Sequence, residues 1–380
     1  MEEKTMNLPA VPPDNIPDVL IEVQGQVGFV TLNRPKALNA LSLNMIRQLQ
    51  SCLLTWRDDP LIQAVAIRGQ SKTGPFGTFC AGGDIRFFHQ AALADDPELG
   101  KFFTEEYNLN HLIHSYPKPY IAFLDGIVMG GGMGLCGHGK QTRIVTEHTR
   151  MAMPETGIGL FPDVGGGYFL SRCPGYVGEW LALTGAPFGA SQALAFGLAD
   201  ACVTAEQLQR AWAALAHIDM SQANAISRWM AQFSSAPPEY LSPHRIQIDH
   251  FFSKSTVTEI VQALEADDNA WAQQTATTLR RHSPLMLHVA LAQVRRARHM
   301  TLAEDLRMER DMVAHCFAPR HLGRDARQSE TVEGIRALVI DKDRSPHWHP
   351  ARIEDVTQAM VTPFFVSPWT PQAHPLHALA

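Results

Sequence analysis

The feature that most constrains the fold is an alternation of short buried strands and amphipathic helices along the first half of the chain. Residues 19–32 contain two β-branched runs around Gly25, which predicts a β-hairpin. Residues 33–56 place leucine and methionine at helical spacing, and residues 64–69 form a short apolar run typical of a buried strand. The chain therefore opens as β-β-α-β, which predicts an α/β architecture.

The same unit recurs further along the chain. A helical pattern at residues 102–116 precedes an apolar strand pattern at 118–132 that runs straight into glycines, and strand patterns follow at 142–146 and 150–155. After about residue 204 the strand signal fades and helical periods dominate. We therefore predict a flexible leader, an α/β core, a mostly helical C-terminal region and a tail, at residues 1–17, 18–207, 208–370 and 371–380.

Composition narrows the class of protein. The chain has 380 residues, 45% of them hydrophobic and 18% charged, which is enough apolar material for a large core. A net charge of -6 without a long basic run argues against a nucleic-acid partner. No uncharged apolar run reaches the ~20 residues of a membrane span. The N-terminal segment carries acids and prolines and lacks a signal-peptide pattern, so we expect a cytoplasmic protein.

The glycine-rich stretch "MGGGMGLCGHGKQ" admits three interpretations. Gly134 to Lys140 matches the phosphate-binding pattern G-x-x-x-x-G-K, but Gln141 stands where that motif needs a hydroxyl. The turn after the strand would instead be residues 130–132, with residues 134–139 in the following helix. Such glycines either allow tight packing or present a backbone N–H to a developing negative charge.

A second glycine turn could supply a second amide. "FGTFCAGGDIRFF" contains a strand-to-glycine turn at residues 80–83, and Asp84 follows at a plausible helix start. Two backbone amides at such turns are the usual construction of an oxyanion hole. An ordinary turn with a helix N-cap explains the same residues.

Two acids lie in a segment that is otherwise apolar or glycine. Glu155 and Asp163 are eight positions apart in "MPETGIGLFPDVGGGYF", and a buried carboxylate needs a partner or a function. Helix capping is an alternative for Asp163, which follows Pro162 and precedes a predicted helix. No G-x-S-x-G or H-E-x-x-H pattern occurs, the six cysteines form no C-x-x-C pair, and His138 is best explained as a packing residue. We therefore expect no metal.

Several motifs together resemble one family. "TLNRPKALNAL", "FCAGGDIR", "KPYIAFLDGIVMGGGMGLCGHG", "MPETGIGLFPDVGGGYFL" and "EGIRALVIDKDRSPHWHP" are similar to the enoyl-CoA hydratase/isomerase (crotonase) superfamily, and most closely to its 3-hydroxyisobutyryl-CoA hydrolases. The resemblance runs from about Val19 to about Pro350. It implies a spiral of β-β-α units with a helical C-terminal region.

The resemblance also implies a binding mode for an acyl-CoA, which is a substrate, so no separate cofactor is expected. The thioester carbonyl would lie between the amides of Gly83 and Gly131. The acyl pocket would be lined by acids, and the nucleotide end of CoA would contact the "NRPKALNAL" motif. The implied acids are Glu106, Glu155 and Asp163, and the implied CoA contacts are Lys36, Ala37 and Leu38.

Departures from the hydratase pattern point to the subfamily. Hydratases carry a glutamate two residues after the triple glycine, and that position is Gly134 here. Glu155 matches the second hydratase glutamate, and Asp163 replaces a glycine. The resemblance therefore favours hydrolysis of a short 3-hydroxyacyl-CoA in valine degradation. A hydratase, a dienoyl-CoA isomerase and a catalytically silent acyl-CoA-binding subunit are the alternatives, and homo-oligomerisation is left open.

Overall fold

A mixed β-sheet forms the centre of the first 200 residues. The computed structural model describes residues 17–136, 142–237 and 244–380, so His138, Lys140, Gln141 and nearly all of the leader lie outside the described residues. The strands are β1 Val19–Gln24, β2 Val27–Leu32, β3 Ala64–Gly69, β4 Tyr120–Leu124, β5 Ile127–Met129, β6 Thr142–Val145, β7 Arg150–Ala152 and β8 Ala201–Cys202.

Six strands share one sheet, in the order β1-β2-β3-β4-β6-β8. β1 and β2 pair antiparallel, which confirms the predicted hairpin, and the remaining pairs are parallel. β5 and β7 form a separate two-stranded parallel sheet. Parallel neighbours require crossover connections, and the helices between the strands supply them. The α/β prediction is confirmed.

Helices cover the sheet and form most of the chain after β8. They are α1 Leu43–Asp58, α2 Ile85–Leu93, α3 Glu98–His114, α4 Gly131–Gly134, α5 Gly166–Leu170, α6 Val177–Thr184, α7 Ala190–Ala195, α8 Ala205–Leu215, α9 Ala225–Ala231, α10 Arg245–Phe252, α11 Val257–Glu265, α12 Ala270–Arg281, α13 Pro284–Ala297, α14 Leu302–Phe317, α15 Glu330–Ile335 and α16 Gln358–Val361. One large core of buried side chains runs through the sheet and the C-terminal helices, and a smaller one lies under α8 and α9. The cavity described below lies between the sheet region and the C-terminal helices.

Two helix predictions need correction. Leu38 does not belong to α1, because it has a left-handed backbone (φ 52°) and closes a short 3-10 turn at Pro35–Ala37. The helix begins at Leu43, where the Ser42 hydroxyl accepts the amide of Met45. The predicted helix over residues 134–139 does not continue past Gly134, where α4 ends and residues 135–136 form a turn, and residues 137–139 lie outside the described residues. Glycine disfavours helix continuation, which accounts for this short single turn.

Candidate active site

Two glycine turns lie side by side at the ends of neighbouring strands. Cys80 forms a parallel bridge with Val128, and the Met129 amide donates to the Cys80 carbonyl at 2.9 Å. After this point both segments turn, at Gly82 (φ 108°) and at Gly130 (φ 48°), where side-chain-bearing residues would be strained. A Cβ added to Gly131 would lie 3.4 Å from the Gly83 nitrogen. The two turns therefore bring the predicted amides of Gly83 and Gly131 together.

Both amides are available to a ligand. Gly83 forms a β-bridge with Leu41, in which the Leu41 amide donates to the Gly82 carbonyl. Gly131 is the first residue of α4. Within the described part of the chain, the amides of Gly83 and Gly131 donate no hydrogen bond. Gly131 is also at a helix N-terminus, whose amides attract negative charge. The pair has the construction of an oxyanion hole.

The three predicted acids face the same space as these amides. A cavity of about 420 Å³ is lined by both glycines and by the three carboxyl groups. Glu106 comes from α3, Glu155 from the turn that follows β7, and Asp163 from the loop before α5. All three are buried, with 2%, 6% and 5% exposure. A cavity of this size suits a small acyl group.

The walls of the cavity keep these carboxyl groups away from water. Phe88, Phe103, Leu160 and Val164 supply apolar surface, and all four are buried. Burial and the charges of Asp163 and Glu155 raise the pKa of Glu106 well above its usual value. Burial and the charge of Asp163 do the same to the pKa of Glu155. Perturbed carboxyls that converge in a cleft are typical of catalytic sites.

The partners of the acids differ. Among the described residues, Oε1 of Glu106 and Oε2 of Glu155 are buried without a hydrogen-bond partner. Asp163 accepts a hydrogen bond from the Tyr107 hydroxyl at 2.8 Å. Burial raises the pKa of Asp163 to about 6, and the Tyr107 bond opposes that rise. Two unsatisfied carboxyl oxygens beside two free amides leave hydrogen-bonding capacity for a substrate.

The helix-capping alternative for Asp163 is wrong. The N-cap of α5 is Gly165, with no side-chain capping bond, and the Asp163 carboxylate turns instead to Tyr107 on α3. Asp84, in contrast, caps α2 as expected, with its side chain accepting the amide of Phe87 at 3.4 Å. The difference arises because the Asp163 side chain points into the cavity rather than along the helix.

The C-terminal helices contribute cavity residues that sequence reasoning missed. His282, just after α12, lines the cavity together with Leu338. The His282 Nδ1 lies 3.0 Å from the Leu183 carbonyl, which can only accept, so Nδ1 carries the hydrogen. Burial lowers the pKa of His282, so Nε2 is a neutral acceptor near Gly157. No local sequence pattern marks this histidine.

The three residues implied for CoA contact lie outside the lining of the cavity. Lys36, Ala37 and Leu38 form the short turn before α1, and the Leu38 carbonyl accepts the amide of Ala81 at 3.0 Å. Ala81 is itself a cavity residue. The turn is therefore adjacent to the first glycine turn, and Lys36 and Leu38 are exposed beside it. Their contact with CoA stays a prediction.

A metal centre and a membrane span each need a recognisable arrangement of residues. Among the described residues, no three His, Cys, Asp or Glu side chains are grouped so as to hold a metal ion. Over the same parts of the chain, none of the helices is both long and apolar enough to cross a membrane.

Comparison with known proteins assigns the family. The family model described as enoyl-CoA hydratase/isomerase matches residues 27–365. The chain belongs to this family. The match covers the strands from β2 onward, both glycine turns, all three cavity acids and nearly all of the helical region.

Curated relatives within the family cover nearly the whole chain. One is 3-hydroxyisobutyryl-CoA hydrolase, mitochondrial, of Homo sapiens, 39% identical over 93% of this chain and 90% of that protein. Another is probable 3-hydroxyisobutyryl-CoA hydrolase 3 of Arabidopsis thaliana, 39% identical over 91% of each.

Solved structures of family members superpose closely. A carnitinyl-CoA dehydratase from Mycobacterium thermoresistibile gives a TM-score of 0.84 at 39% identity, over 93% of this chain and 97% of that chain. An enoyl-CoA hydratase from Rhodobacter sphaeroides gives 0.82 at 36% identity, over 93% and 98%. The predicted crotonase-like fold is thereby confirmed.

Proposed function

We propose that this family member hydrolyses 3-hydroxyisobutyryl-CoA to 3-hydroxyisobutyrate and free CoA. The observation that carries the proposal is one cavity in which two unbonded backbone amides face three buried carboxyl groups. The relatives named 3-hydroxyisobutyryl-CoA hydrolase support the choice of substrate. With this substrate the protein would serve valine degradation, and the acids of its N-terminal segment favour a cytoplasmic location.

The amides would act on the thioester carbonyl. As a nucleophile adds to the carbonyl carbon, negative charge develops on the oxygen, and the N–H groups of Gly83 and Gly131 would donate to it. Donors that are fixed before the reaction stabilise this charge without reorganisation, and removing one donor typically costs about 3 to 4 kcal/mol. The absent side chains of both glycines keep the approach to the carbonyl open.

Glu155 would act as the nucleophile or as the general base. Its carboxylate would either add to the thioester carbonyl, expelling CoA and leaving a mixed anhydride that water then cleaves, or remove a proton from an attacking water. The raised pKa makes the Glu155 carboxylate a stronger base than an exposed glutamate. Among the described residues Oε2 of Glu155 has no hydrogen-bond partner, so it can accept a hydrogen bond from an attacking water or from the substrate.

Asp163 and Glu106 would recognise the acyl group. A 3-hydroxyl donates one hydrogen bond and accepts others, and Asp163, held by Tyr107, offers a second carboxylate oxygen for it. Asp163 could equally carry the proton to the leaving thiolate. Glu106 would complete the polar end of the acyl pocket. A site built around a hydroxyl discriminates strongly against substrates that lack it.

The substitution Glu155→Gln tests the proposal. We expect it to lower CoA release from 3-hydroxyisobutyryl-CoA by about 10²- to 10⁴-fold, the usual contribution of a positioned base or nucleophile. A thiol reagent measures the released CoA. The matched control is Glu179→Gln, because Glu179 is also a buried glutamate (1% exposed) but pairs with Arg298 outside the cavity. Wild-type rates in Glu155→Gln would contradict the assignment.

Hydration of a double bond is the second candidate. The two superposing structures are a dehydratase and a hydratase, and the cavity holds more than one glutamate, as such a reaction needs. Crotonyl-CoA assayed beside 3-hydroxyisobutyryl-CoA separates the two, since hydration consumes the conjugated double bond without releasing CoA. The same pair of assays identifies a silent binding subunit, which would turn over neither substrate.

A further inference from the structure

Two buried acids outside the cavity face the loop that carries Asp163. Asp305 and Glu309 lie one helical turn apart on α14, and both side chains are fully buried. Neither lines the cavity. The loop in question is residues 162–168, which leads from Pro162 through Asp163 into α5. Buried carboxylates are costly unless they are hydrogen-bonded, so their contacts indicate why they are there.

Glu309 binds the loop on the C-terminal side of Asp163. Its Oε2 accepts the amide of Gly165 at 2.7 Å, and its Oε1 accepts the amide of Gly167 at 3.0 Å. Glu309 therefore fixes the backbone two and four residues after Asp163.

Gln293 extends the same network to the N-terminal side of Asp163. Its Nε2 donates to the Pro162 carbonyl at 2.7 Å and to Glu309 Oε1 at 2.9 Å. Gln293 is fully buried on α13. One side-chain amide thus ties the residue just before Asp163 to the carboxylate that holds the residues just after it. Both flanks of Asp163 are held from the C-terminal helices.

Asp305 completes the contact with α5. Its Oδ2 accepts the amide of Tyr168 at 2.7 Å. A Cβ added to Gly167 would lie 2.4 Å from Asp305 Oδ1, so the close approach of helix and loop requires glycine there. Burial raises the pKa of Asp305 to about 7, and burial with the charge of Asp305 raises that of Glu309. Both carboxyls therefore take up protons at higher pH than exposed acids do.

We propose that Glu309, with Gln293 and Asp305 around it, is a positioning residue that holds the Asp163 carboxylate in the acyl pocket. The proposal rests on the proposed function, because it takes Asp163 to be the group that recognises the 3-hydroxyl. These bonds satisfy the N-terminal amides of α5, and because they come from α13 and α14 they also set where the loop with Asp163 lies against the cavity. A displacement of the order of 1 Å at a reacting or binding group costs up to about 10²-fold in rate.

The test is a double-mutant cycle between Glu309→Gln and Asp163→Asn, assayed with 3-hydroxyisobutyryl-CoA and with isobutyryl-CoA, which lacks the hydroxyl. Gln keeps the shape of Glu309 but places an NH₂ group against a backbone N–H. We expect Glu309→Gln to lower kcat/KM for the hydroxyacyl substrate by about 10- to 100-fold and that for isobutyryl-CoA by less than about 3-fold. In the Asp163→Asn background the further loss should also be less than about 3-fold.

A structural role alone gives a different result. Loss of folded enzyme lowers the rates for both substrates by the same factor and persists in the Asp163→Asn background, and a loss that persists in that background overturns the proposal. Glu179→Gln is the control, since it disturbs a buried carboxyl away from the loop and should leave the substrate ratio unchanged. If Glu309→Gln does not fold, Gln293→Met conserves volume, removes the donor to Pro162, and should shift the ratio in the same direction.

The same experiment separates failure of the inference from failure of the proposed function. Wild-type protein that releases no CoA from 3-hydroxyisobutyryl-CoA overturns the function. If the wild type hydrates crotonyl-CoA instead, the cycle is run on that reaction, where coupling between Glu309 and Asp163 supports positioning and additivity overturns it.

Discussion

Burial and the charge of a neighbour act in the same direction on Glu155. The carboxyl is 6% exposed, and the Asp163 carboxylate shares its cavity. Both effects raise the Glu155 pKa, with burial the larger cause. A group whose pKa is raised loses its proton only at higher pH. As the pH is lowered, the fraction of enzyme with a Glu155 carboxylate therefore begins to fall at a higher pH than it would for an exposed glutamate.

The pH profile of kcat/KM therefore has a predicted position and a predicted response. The profile reports ionisations of the free enzyme. We expect activity to fall toward acid pH at a higher pH than an exposed glutamate would give, because the required Glu155 carboxylate has a raised pKa. Asp163→Asn removes the negative neighbour, so the residual acid limb should move to lower pH. CoA release measured from pH 5 to 8 checks this.

A matched control isolates the electrostatic effect. Glu179→Gln removes a buried carboxyl elsewhere and should leave the acid limb where the wild type has it. An acid limb that stays in place in Asp163→Asn, while the rate falls, would contradict the interaction between the two carboxyls.

At the scale of elements, the one-turn helix α4 packs too closely for a side chain at its last residue. A Cβ added to Gly134 would lie 2.6 Å from the Val164 Cβ and 3.0 Å from the Asn110 Nδ2. The Asn110 side chain already donates to the Gly134 carbonyl at 3.0 Å. The hydratase glutamate expected at this position therefore has no space, and Glu106 from α3 is the acid that reaches Gly131 instead.

We predict that Gly134→Ala destabilises the protein. Inserting a methyl group into a packed site typically costs about 1 to 3 kcal/mol, which exceeds the gain of roughly 1 kcal/mol from replacing a helical glycine. Urea unfolding measures the change in the free energy of unfolding. Gly100→Ala is the matched control, because an added Cβ there meets only the end of the Arg310 side chain, at 3.3 Å, within α3. Equal stability of both variants would refute the packing argument.

Sequence periodicity predicted the elements whose stability is local. The β1–β2 hairpin, the helical character of the C-terminal region and the two glycine turns are all specified by neighbouring residues. The convergence of Glu106, Glu155 and Asp163 entered through the family resemblance, since strand-to-turn patterns alone do not place three separate elements around one cavity. Their roles in catalysis stay predictions.

Contacts between distant segments account for what the sequence did not predict. Asp163 turns to Tyr107, 56 residues earlier, instead of capping its own helix. His282 reaches the cavity from the C-terminal helices, and Glu309 bonds to Gly165 from 144 residues away. Glu309 also lies in an amphipathic helix, where an acid is expected on the polar face. No local pattern distinguishes such a buried acid from a surface one.

At the scale of the whole molecule, the last residues of the chain link the two parts that build the site. Arg307 on α14 donates to the Leu379 carbonyl at 2.7 Å, and His111 on α3 lies 3.1 Å from the Ala380 carbonyl. The segment predicted as a tail therefore packs against the helix that carries Glu106 and the helix that carries Glu309. It is part of the folded structure, with Leu376 only 1% exposed.

We predict that Leu376→Ala lowers the free energy of unfolding by about 2 to 4 kcal/mol, because it removes a fully buried side chain and leaves a cavity. Val366→Ala is the control, since Val366 is 58% exposed and should change stability by less than about 0.5 kcal/mol. Because Leu376 does not line the cavity, the ratio of kcat/KM between 3-hydroxyisobutyryl-CoA and isobutyryl-CoA should stay at the wild-type value below the melting temperature. Thermal unfolding and the two-substrate assay on the same preparations check both statements.

Two outcomes would contradict these expectations. Wild-type stability in Leu376→Ala would show that the terminal segment does not stabilise the fold. A changed substrate ratio would show that the segment acts on the site directly.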